Sequence, residues 1–174
     1  MRVSVIIPVY NGEKFIAQAL DSVLVQSVQP EEIIVIDDGS TDNSATIIKS
    51  FGNKVTYLYQ KNSGICISRN NGIKLANSEF IAFLDHDDVF LPNKLEASLE
   101  QFYLNEKIDI VQGKWRYLFN TKELESNFVN QDLINKDMYG MFLGAALFRK
   151  SCFDRIGVFD EAAEFSEDVD YGCA

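Results

Sequence analysis

The chain has 174 residues, 47% of them hydrophobic, with a formal net charge of −10 at pH 7. This length suits one domain with a buried core, and the hydrophobic content is too high for a disordered chain. The negative charge argues against binding to nucleic acid and against a basic membrane-binding face, since both depend on lysine and arginine.

The beginning of the chain predicts a first strand rather than a targeting segment. Its apolar run stops at Pro8 after five residues, only one basic residue precedes that run, and no cleavage site of small residues follows. No stretch of 18 apolar residues occurs, so we predict no transmembrane helix. The three cysteines, Cys66, Cys152 and Cys173, are sparse and irregularly spaced. They fit reduced thiols of a cytoplasmic protein and do not resemble a zinc site.

Short apolar runs alternate with amphipathic patterns through the first two thirds of the chain. The β-rich runs predict strands at 3–9, 32–36, 55–60, 79–84 and 109–119. The segments between them predict helices at 13–27, 43–51, 65–77 and 93–104. This alternation predicts an α/β fold with a parallel central sheet, helices on both faces and right-handed crossovers.

Polar loops follow three of the predicted strands. They read "PVYNG" (8–12), "DDGSTD" (37–42) and "DHDD" (85–88). Because ligands of such sheets bind beyond the carboxyl ends of the strands, we expect these three loops to converge on one site.

The pattern weakens after residue 119. The polar segment 120–140 is predicted to be mobile over the site, and the apolar run "MFLGAALFRK" (141–150) follows it. The last residues resemble the opening of a helix without a stop signal, so we expect the natural protein to continue.

The acidic loop contains Asp85, His86, Asp87 and Asp88 directly after an apolar strand. Mg²⁺ and Mn²⁺ prefer carboxylate oxygens and keep positions open for substrate phosphates, so Asp85 and Asp87 are candidate metal ligands. His86 is a candidate donor to a phosphate oxygen. In the alternative interpretation the loop is a solvated acidic turn in which Asp88 caps the next helix and His86 is a bystander.

Two further acidic segments have a functional and a structural interpretation. In "VIDDGSTD", Asp37 or Asp38 either accepts a hydrogen bond from a base or sugar or belongs to an ordinary strand-to-helix turn. The chain has neither the glycine fingerprint of a dinucleotide site nor a P-loop. In "FSEDVD", the carboxylates of Glu167, Asp168 and Asp170 either begin a helix or include a general base for an acceptor hydroxyl.

Four motifs in order along the chain resemble family 2 glycosyltransferases of GT-A fold. They are "VSVIIPVYNGEKFIAQALDSVLVQS", "EIIVIDDGSTDNS", "NSGICISRNNGIKLANSEFIAFLDHDD" and "GVFDE…SEDVDY". The resemblance implies a Rossmann-like, mostly parallel sheet. It also implies a nucleotide-binding half over about 1–115 and the start of an acceptor-side half over about 116–174, truncated at its C-terminus.

The resemblance also implies a role for each matching residue. Contacts to the nucleotide are implied for Pro8, Val9, Tyr10, Asp37, Asp38, Arg69, Asp85 and His86. Tyr10 would stack on the base, Asp38 would hydrogen-bond it, and Arg69 would have a phosphate or structural role. Asp85 and Asp87 would hold Mn²⁺ or Mg²⁺, with Asp87 as the direct ligand. Asp168 would be the catalytic base.

The implied reaction is an inverting transfer of a sugar, with UDP-sugar favoured as donor, to a hydroxyl acceptor. The acceptor would be a saccharide or a lipid-linked molecule in surface polysaccharide or glycolipid synthesis. The implied place is the cytoplasm, with peripheral association at the inner face of the membrane.

Two alternatives compete with this hypothesis. "FLDHDDV" also fits the motif of haloacid dehalogenase-type phosphotransferases, with Asp85 as the phosphorylated nucleophile. That motif usually follows the first strand of its fold, whereas three predicted strands precede it here. The second alternative is a donor-binding fragment that does not turn over.

Overall fold

A six-stranded sheet organises the chain. The structure, a computed structural model, describes residues 1–117 and 136–162. The strands are β1 (Val3–Val9), β2 (Glu32–Asp37), β3 (Thr56–Tyr59), β4 (Phe80–Phe83), β5 (Ile110–Gln112) and β6 (Ala146–Arg149). The helices are α1 (Ile16–Leu24), α2 (Ser44–Ser50), α3 (Ile65–Leu75), α4 (Lys94–Leu104) and α5 (Ser151–Ile156), with 3₁₀ turns at Gly52–Lys54 and Leu143–Ala145.

The strand order is β3-β2-β1-β4-β6-β5. The first four strands are parallel: β1 pairs with β2 and β4, and β2 pairs with β3. Strand β6 runs antiparallel to both β4 and β5. The carboxyl ends of β1, β2, β4 and β5 therefore lie at one edge of the sheet, and β6 begins at that same edge.

The two faces of the sheet bury separate apolar clusters, because successive side chains of a strand point to opposite faces. One cluster packs under α1, α2 and α4 and includes Val5, Ile7, Leu20, Ile48 and Leu99. The other packs under α3 and α5 and includes Ile6, Ile34, Ile73, Phe148 and Phe153. The predicted α/β fold, with a mostly parallel sheet and helices on both faces, is confirmed.

Most of the predicted elements are present, and the differences fall near the end of the chain. The strand predicted at 109–119 is shorter over residues 109–117, the part of it that the structure describes: Ile110–Gln112 pair with β6, and Trp115 forms a separate bridge to Met138. The run 141–150 contains β6, which was not predicted as a strand. Most of the segment predicted to be mobile and the predicted final helix lie outside the described residues. In the part that is described, no helix is long and apolar enough to span a bilayer.

Gly72 allows α3 to pack closely against β1. A Cβ atom added at this position would lie 2.3 Å from Cγ2 of Ile6, which is fully buried in the sheet. Glycine weakens a helix interior relative to alanine, so its presence here is explained by the close contact rather than by helix propensity. The contact sets the distance of α3 from the sheet, and α3 also contributes Arg69 to the site described below.

We expect Gly72→Ala to destabilise the protein by a net amount of about 1–2 kcal/mol, because the overpacking cost exceeds the gain in helix propensity. Urea denaturation of Gly72→Ala, Ile6→Ala and the double variant measures the coupling. In the Ile6→Ala background the clashing atoms are gone, so the same glycine replacement should be neutral or stabilising. Equal costs in both backgrounds would contradict the assigned contact.

Candidate functional site

The loops after β1 and β2 are joined by hydrogen bonds at the carboxyl edge of the sheet. The backbone N–H of Asn11 donates to Oγ of Ser40 at 3.0 Å, and Oδ1 of Asn11 accepts from the N–H of Thr41 at 2.8 Å. The N–H of Gly12 donates to Oγ of Ser44 at 2.9 Å. Asn11 has a φ of 52°, a left-handed conformation that asparagine tolerates better than most residues. These contacts fix the two loops relative to each other.

The acidic loop after β4 reaches the first loop through His86. A Cβ added to Gly12 would lie 2.5 Å from Cδ2 of His86 and 2.8 Å from Cγ2 of Val9. Only glycine leaves room here for the half-buried imidazole. The three loops predicted to converge therefore do so in the structure.

Asp37 is fully buried at the end of β2. Its Oδ1 accepts from the N–H of Ser40 at 2.9 Å, and its Oδ2 accepts from the hydroxyl of Tyr57 at 2.6 Å. Burial, together with the hydrogen bond to Asp37, raises the pKa of Tyr57, so the phenol remains a donor at neutral pH. Through these contacts Asp37 stabilises the turn after β2 and connects it to β3.

Asp38 is 5% exposed and lies between β2 and α3. Its Oδ1 accepts from Nε2 of Gln60 and from the N–H of Ser63, both at 2.8 Å. Its Oδ2 accepts from the N–H of Gly64 at 2.9 Å. A carboxylate offers about four acceptor positions, so Oδ2 retains capacity for one further donor.

Arg69 and Asp85 form an ion pair under the acidic loop. Nη2 of Arg69 lies 3.0 Å from Oδ1 of Asp85, and their side chains are 1% and 26% exposed. The guanidinium carbon also lies 5.6 Å from the ring centre of Phe159. A buried guanidinium requires a compensating anion, which here holds the Asp85 carboxylate in place.

Asp87 presents its carboxylate to solvent two residues further along. In residues 1–117 and 136–162, no three His, Cys, Asp or Glu side chains lie together as a ready metal site. Mg²⁺ and Mn²⁺, however, are commonly held by one or two carboxylates, with phosphates and waters as the other ligands. The exposed Asp87 and the partly exposed Asp85 supply oxygen donors of that kind, so these residues fit a divalent cation.

The other predicted residues occupy different positions. Tyr10 is 48% exposed at the edge of the sheet, whereas Pro8 and Val9 are buried within β1. Asp168 lies outside the described residues. The sequence-based prediction did not include Gly12, Tyr57 or Gln60, because an isolated polar or small residue gives no signal of its spatial partner.

Lys94 fastens the start of α4 to the sheet beside the acidic loop. Its Nζ donates to the carbonyl oxygen of Ala146 at 2.9 Å and lies 4.4 Å from the ring centre of Phe90. Burial lowers the pKa of Lys94 from the ordinary 10.5 to about 7. The hydrogen bond therefore connects the first residue of β6 to the helix that follows the acidic loop.

Comparison with known protein families assigns the chain to one of them. Its sequence matches the profile of Glycosyl transferase family 2 over residues 4–157. The chain belongs to this family. It is 35% identical to an uncharacterized glycosyltransferase of Rickettsia typhi over 97% of its own length and 56% of that protein. It is 37% identical to glycosyltransferase GlyG of Streptococcus pneumoniae over 72% of the chain and 42% of GlyG. The chain thus spans about half the length of the curated relatives it matches.

Solved structures agree with the family assignment. TarS 1-349 of S. aureus in complex with UDP superposes with a TM-score of 0.74 at 27% identity, over 97% of this chain and 53% of that one. The same TarS fragment in complex with UDP-GlcNAc gives a TM-score of 0.73 at 28% identity, over 97% and 51%. Both are similar to this chain in fold and in sequence. The family 2 glycosyltransferase hypothesis and the GT-A fold are therefore confirmed.

Lys94 makes the stability of the protein depend on pH. Between about pH 7 and pH 10 the unfolded chain binds more protons at this position than the folded chain, so the free energy of unfolding rises with pH. We expect the wild-type value minus that of Lys94→Met to increase by at most about 1.4 kcal/mol per pH unit above pH 7. Denaturation with urea across this pH range measures the difference. Lys74→Met, on an exposed position of α3, is the control and should show no such trend. A constant difference for Lys94→Met would contradict the prediction.

Proposed function

We propose that this chain holds the donor-binding part of an inverting glycosyltransferase that moves a hexose-type sugar from a nucleoside diphosphate to an acceptor hydroxyl. The observation that supports this proposal is the convergence of three loops at one edge of the sheet. The Tyr10 ring and the Asp87 carboxylate, which belong to two of these loops, are both exposed. A base-stacking surface and an oxygen-rich cation site are the two features that a nucleotide-sugar donor requires.

The base of the donor is assigned to the end of β1 and β2. Tyr10 stacks on it, the backbone of Pro8 and Val9 borders it, and the remaining acceptor position of Asp38 receives an N–H of the base. Uracil carries such an N–H, and the complexes of TarS with UDP and UDP-GlcNAc support a uridine donor. Asp37 supports the turn that carries Asp38.

The diphosphate is assigned to the acidic loop. Asp87 and Asp85 would hold Mn²⁺ or Mg²⁺, with Asp87 as the direct ligand, and His86 would donate to a phosphate oxygen. A divalent ion bound there would supply positive charge to offset the negative charge that grows on the departing diphosphate. Arg69 keeps Asp85 oriented through their ion pair.

Asp168 is assigned as the general base. It accepts the proton of the acceptor hydroxyl while that oxygen bonds to the anomeric carbon. The bond from the anomeric carbon to the β-phosphate oxygen breaks, and its electron pair leaves with the nucleoside diphosphate. A single displacement inverts the anomeric centre and needs no covalent intermediate with the protein.

The remaining proposals concern the location of the protein in the cell and the class of its acceptor. We place the protein in the cytoplasm, with peripheral association at the inner face of the membrane. The acceptor is a saccharide or a lipid-linked saccharide in surface polysaccharide or glycolipid synthesis. The phosphotransferase alternative is not retained, because the acidic motif follows the fourth strand and the family profile spans residues 4–157.

Binding of UDP should require a divalent cation. In calorimetry with UDP and Mn²⁺, we expect Asp87→Ala to weaken the metal-dependent affinity at least about tenfold, since the variant loses a direct ligand of the ion. Asp21→Ala, which removes an exposed carboxylate of α1, is the matched control and should bind normally. Metal-independent binding of UDP, or unchanged affinity in Asp87→Ala, would contradict the assignment.

Loss of the general base should separate binding from transfer. We expect Asp168→Asn to bind UDP and Mn²⁺ like the wild type but to release UDP from UDP-GlcNAc about 10²–10⁴ times more slowly. Coupled detection of released UDP, in the presence of saccharide acceptors, measures this. Full activity of the variant would refute Asp168 as the base. If the wild type binds UDP but releases none, the donor-binding fragment is the correct description of this chain.

A further inference from the structure

Three aromatic side chains form a surface beside the acidic loop that the proposed donor site does not use. The ring centres of Trp115 and Tyr117 are 5.2 Å apart, and those of Trp115 and Phe142 are 5.1 Å apart. Tyr117 is 46% exposed, and the other two rings are half-buried. We refer to Trp115, Tyr117 and Phe142 as the aromatic wall. Its rings are in mutual contact, and it is only partly covered.

The backbone that carries the aromatic wall is held by paired interactions. The N–H of Met138 donates to the carbonyl of Trp115 at 2.8 Å, and the N–H of Trp115 donates back at 3.4 Å. Lys114 and Arg116 both pair with Asp137. Side chains alternate along an extended segment, so these charged groups and the aromatic wall lie on opposite sides of it. The wall is therefore positioned before any ligand arrives.

The strand order places the aromatic wall next to the acidic loop. Gly113 and Trp115 follow β5, whose carboxyl end lies at the same edge of the sheet as that of β4. A Cβ added to Gly144, just before β6, would lie 3.1 Å from Cε1 of Phe142 and 3.7 Å from Oδ2 of Asp88. Tyr10 lies on the other side of β4, after β1. The acidic loop thus has the base-binding surface on one side and the aromatic wall on the other.

Two polar atoms beside the aromatic wall point to a ligand that carries hydroxyl groups. Within the described parts of the chain, the shielded Nε1 of Trp115 and the shielded Oε1 of Gln112 have no hydrogen-bond partner. Buried polar atoms are nearly always paired, so each of these two atoms requires an explanation. A hydroxyl group both donates and accepts, so it can satisfy either atom once the side chains that cover that atom shift.

We propose that the aromatic wall binds the terminal hexopyranose ring of the acceptor. A pyranose ring with equatorial hydroxyl groups has an apolar face of C–H bonds that fits against aromatic rings, while its hydroxyl groups remain free to form hydrogen bonds. This proposal rests on the proposed function and narrows its acceptor to a saccharide end, whether free or lipid-linked. The ring stacks on Tyr117 and Trp115, with its nucleophilic hydroxyl turned toward the acidic loop.

Trp115 is the single tryptophan of the chain, so its fluorescence reports on the aromatic wall directly. The test is a titration of the full chain with methyl β-D-glucoside and N-acetylglucosamine over the millimolar range. We expect a saturable change in emission with these ring saccharides and none with mannitol, an acyclic polyol that has no ring face. No change with either saccharide, or an equal change with mannitol, would overturn the proposal.

Variants of Tyr117 make the test specific. We expect Tyr117→Leu to weaken saccharide binding about tenfold and Tyr117→Phe, which keeps the ring, to preserve it. Tyr139→Leu is the matched control, because Tyr139 is exposed beside Lys114 on the opposite side of the segment. Equal weakening in Tyr139→Leu, or none in Tyr117→Leu, would overturn the assignment.

The donor-site proposal and the proposal for the aromatic wall would be contradicted by different results. Calorimetry with UDP and Mn²⁺ on the same variants should give wild-type affinity, because the aromatic wall does not contact the nucleotide. If UDP binds normally but the saccharides do not bind, the acceptor role of the aromatic wall is overturned and the donor site is not. Saccharide binding without UDP binding contradicts the donor site and leaves the wall supported. A change in Trp115 emission caused by UDP itself would place the wall in the donor site and overturn the acceptor assignment.

Discussion

The ion pair between Arg69 and Asp85 is the constraint on which the site depends. Its guanidinium is almost completely buried, and a charge in that position is tolerated only with a nearby anion. Arg69 comes from α3 and Asp85 from the end of β4, while Phe159 packs over the guanidinium. The neighbouring Asn70 exchanges two hydrogen bonds with the backbone of Phe159. One turn of α3 therefore holds both the acidic loop and a segment from near the end of the described chain.

The four carboxylates of the candidate site differ in whether they have partners within the chain. Asp37 and Asp38 are buried and accept hydrogen bonds from the chain itself, which offsets the cost of removing them from water. Asp85 is compensated by Arg69. Asp87 alone of these four is exposed. Asp37, Asp38 and Asp85 are thus stabilised by partners within the chain, whereas the Asp87 carboxylate faces solvent.

The sequence predicted the parallel half of the fold well, because its strands are short apolar runs separated by polar turns and amphipathic helices. The convergence of the three loops followed from the rule that parallel strands share one carboxyl edge. Strand β6 was missed because it lies between β4 and β5 and is buried on both faces, so its residues do not alternate. Contacts such as Gly12 against His86 depend on how distant segments pack, which no local pattern reports.

The antiparallel direction of β6 decides which residues lie beside the acidic loop. Because β6 begins at the edge where β4 ends, the turn Leu143–Ala145 before it lies beside the acidic loop, and Gly144 comes close to Asp88. A parallel β6 would have placed that turn at the opposite edge of the sheet, away from Asp85 and Asp87. Strand β5 runs antiparallel to β6, so its carboxyl end and Trp115 lie at the same edge as the end of β4. The change of direction after β4 therefore places Tyr10 and Trp115 on opposite sides of the acidic loop, at one edge of the sheet.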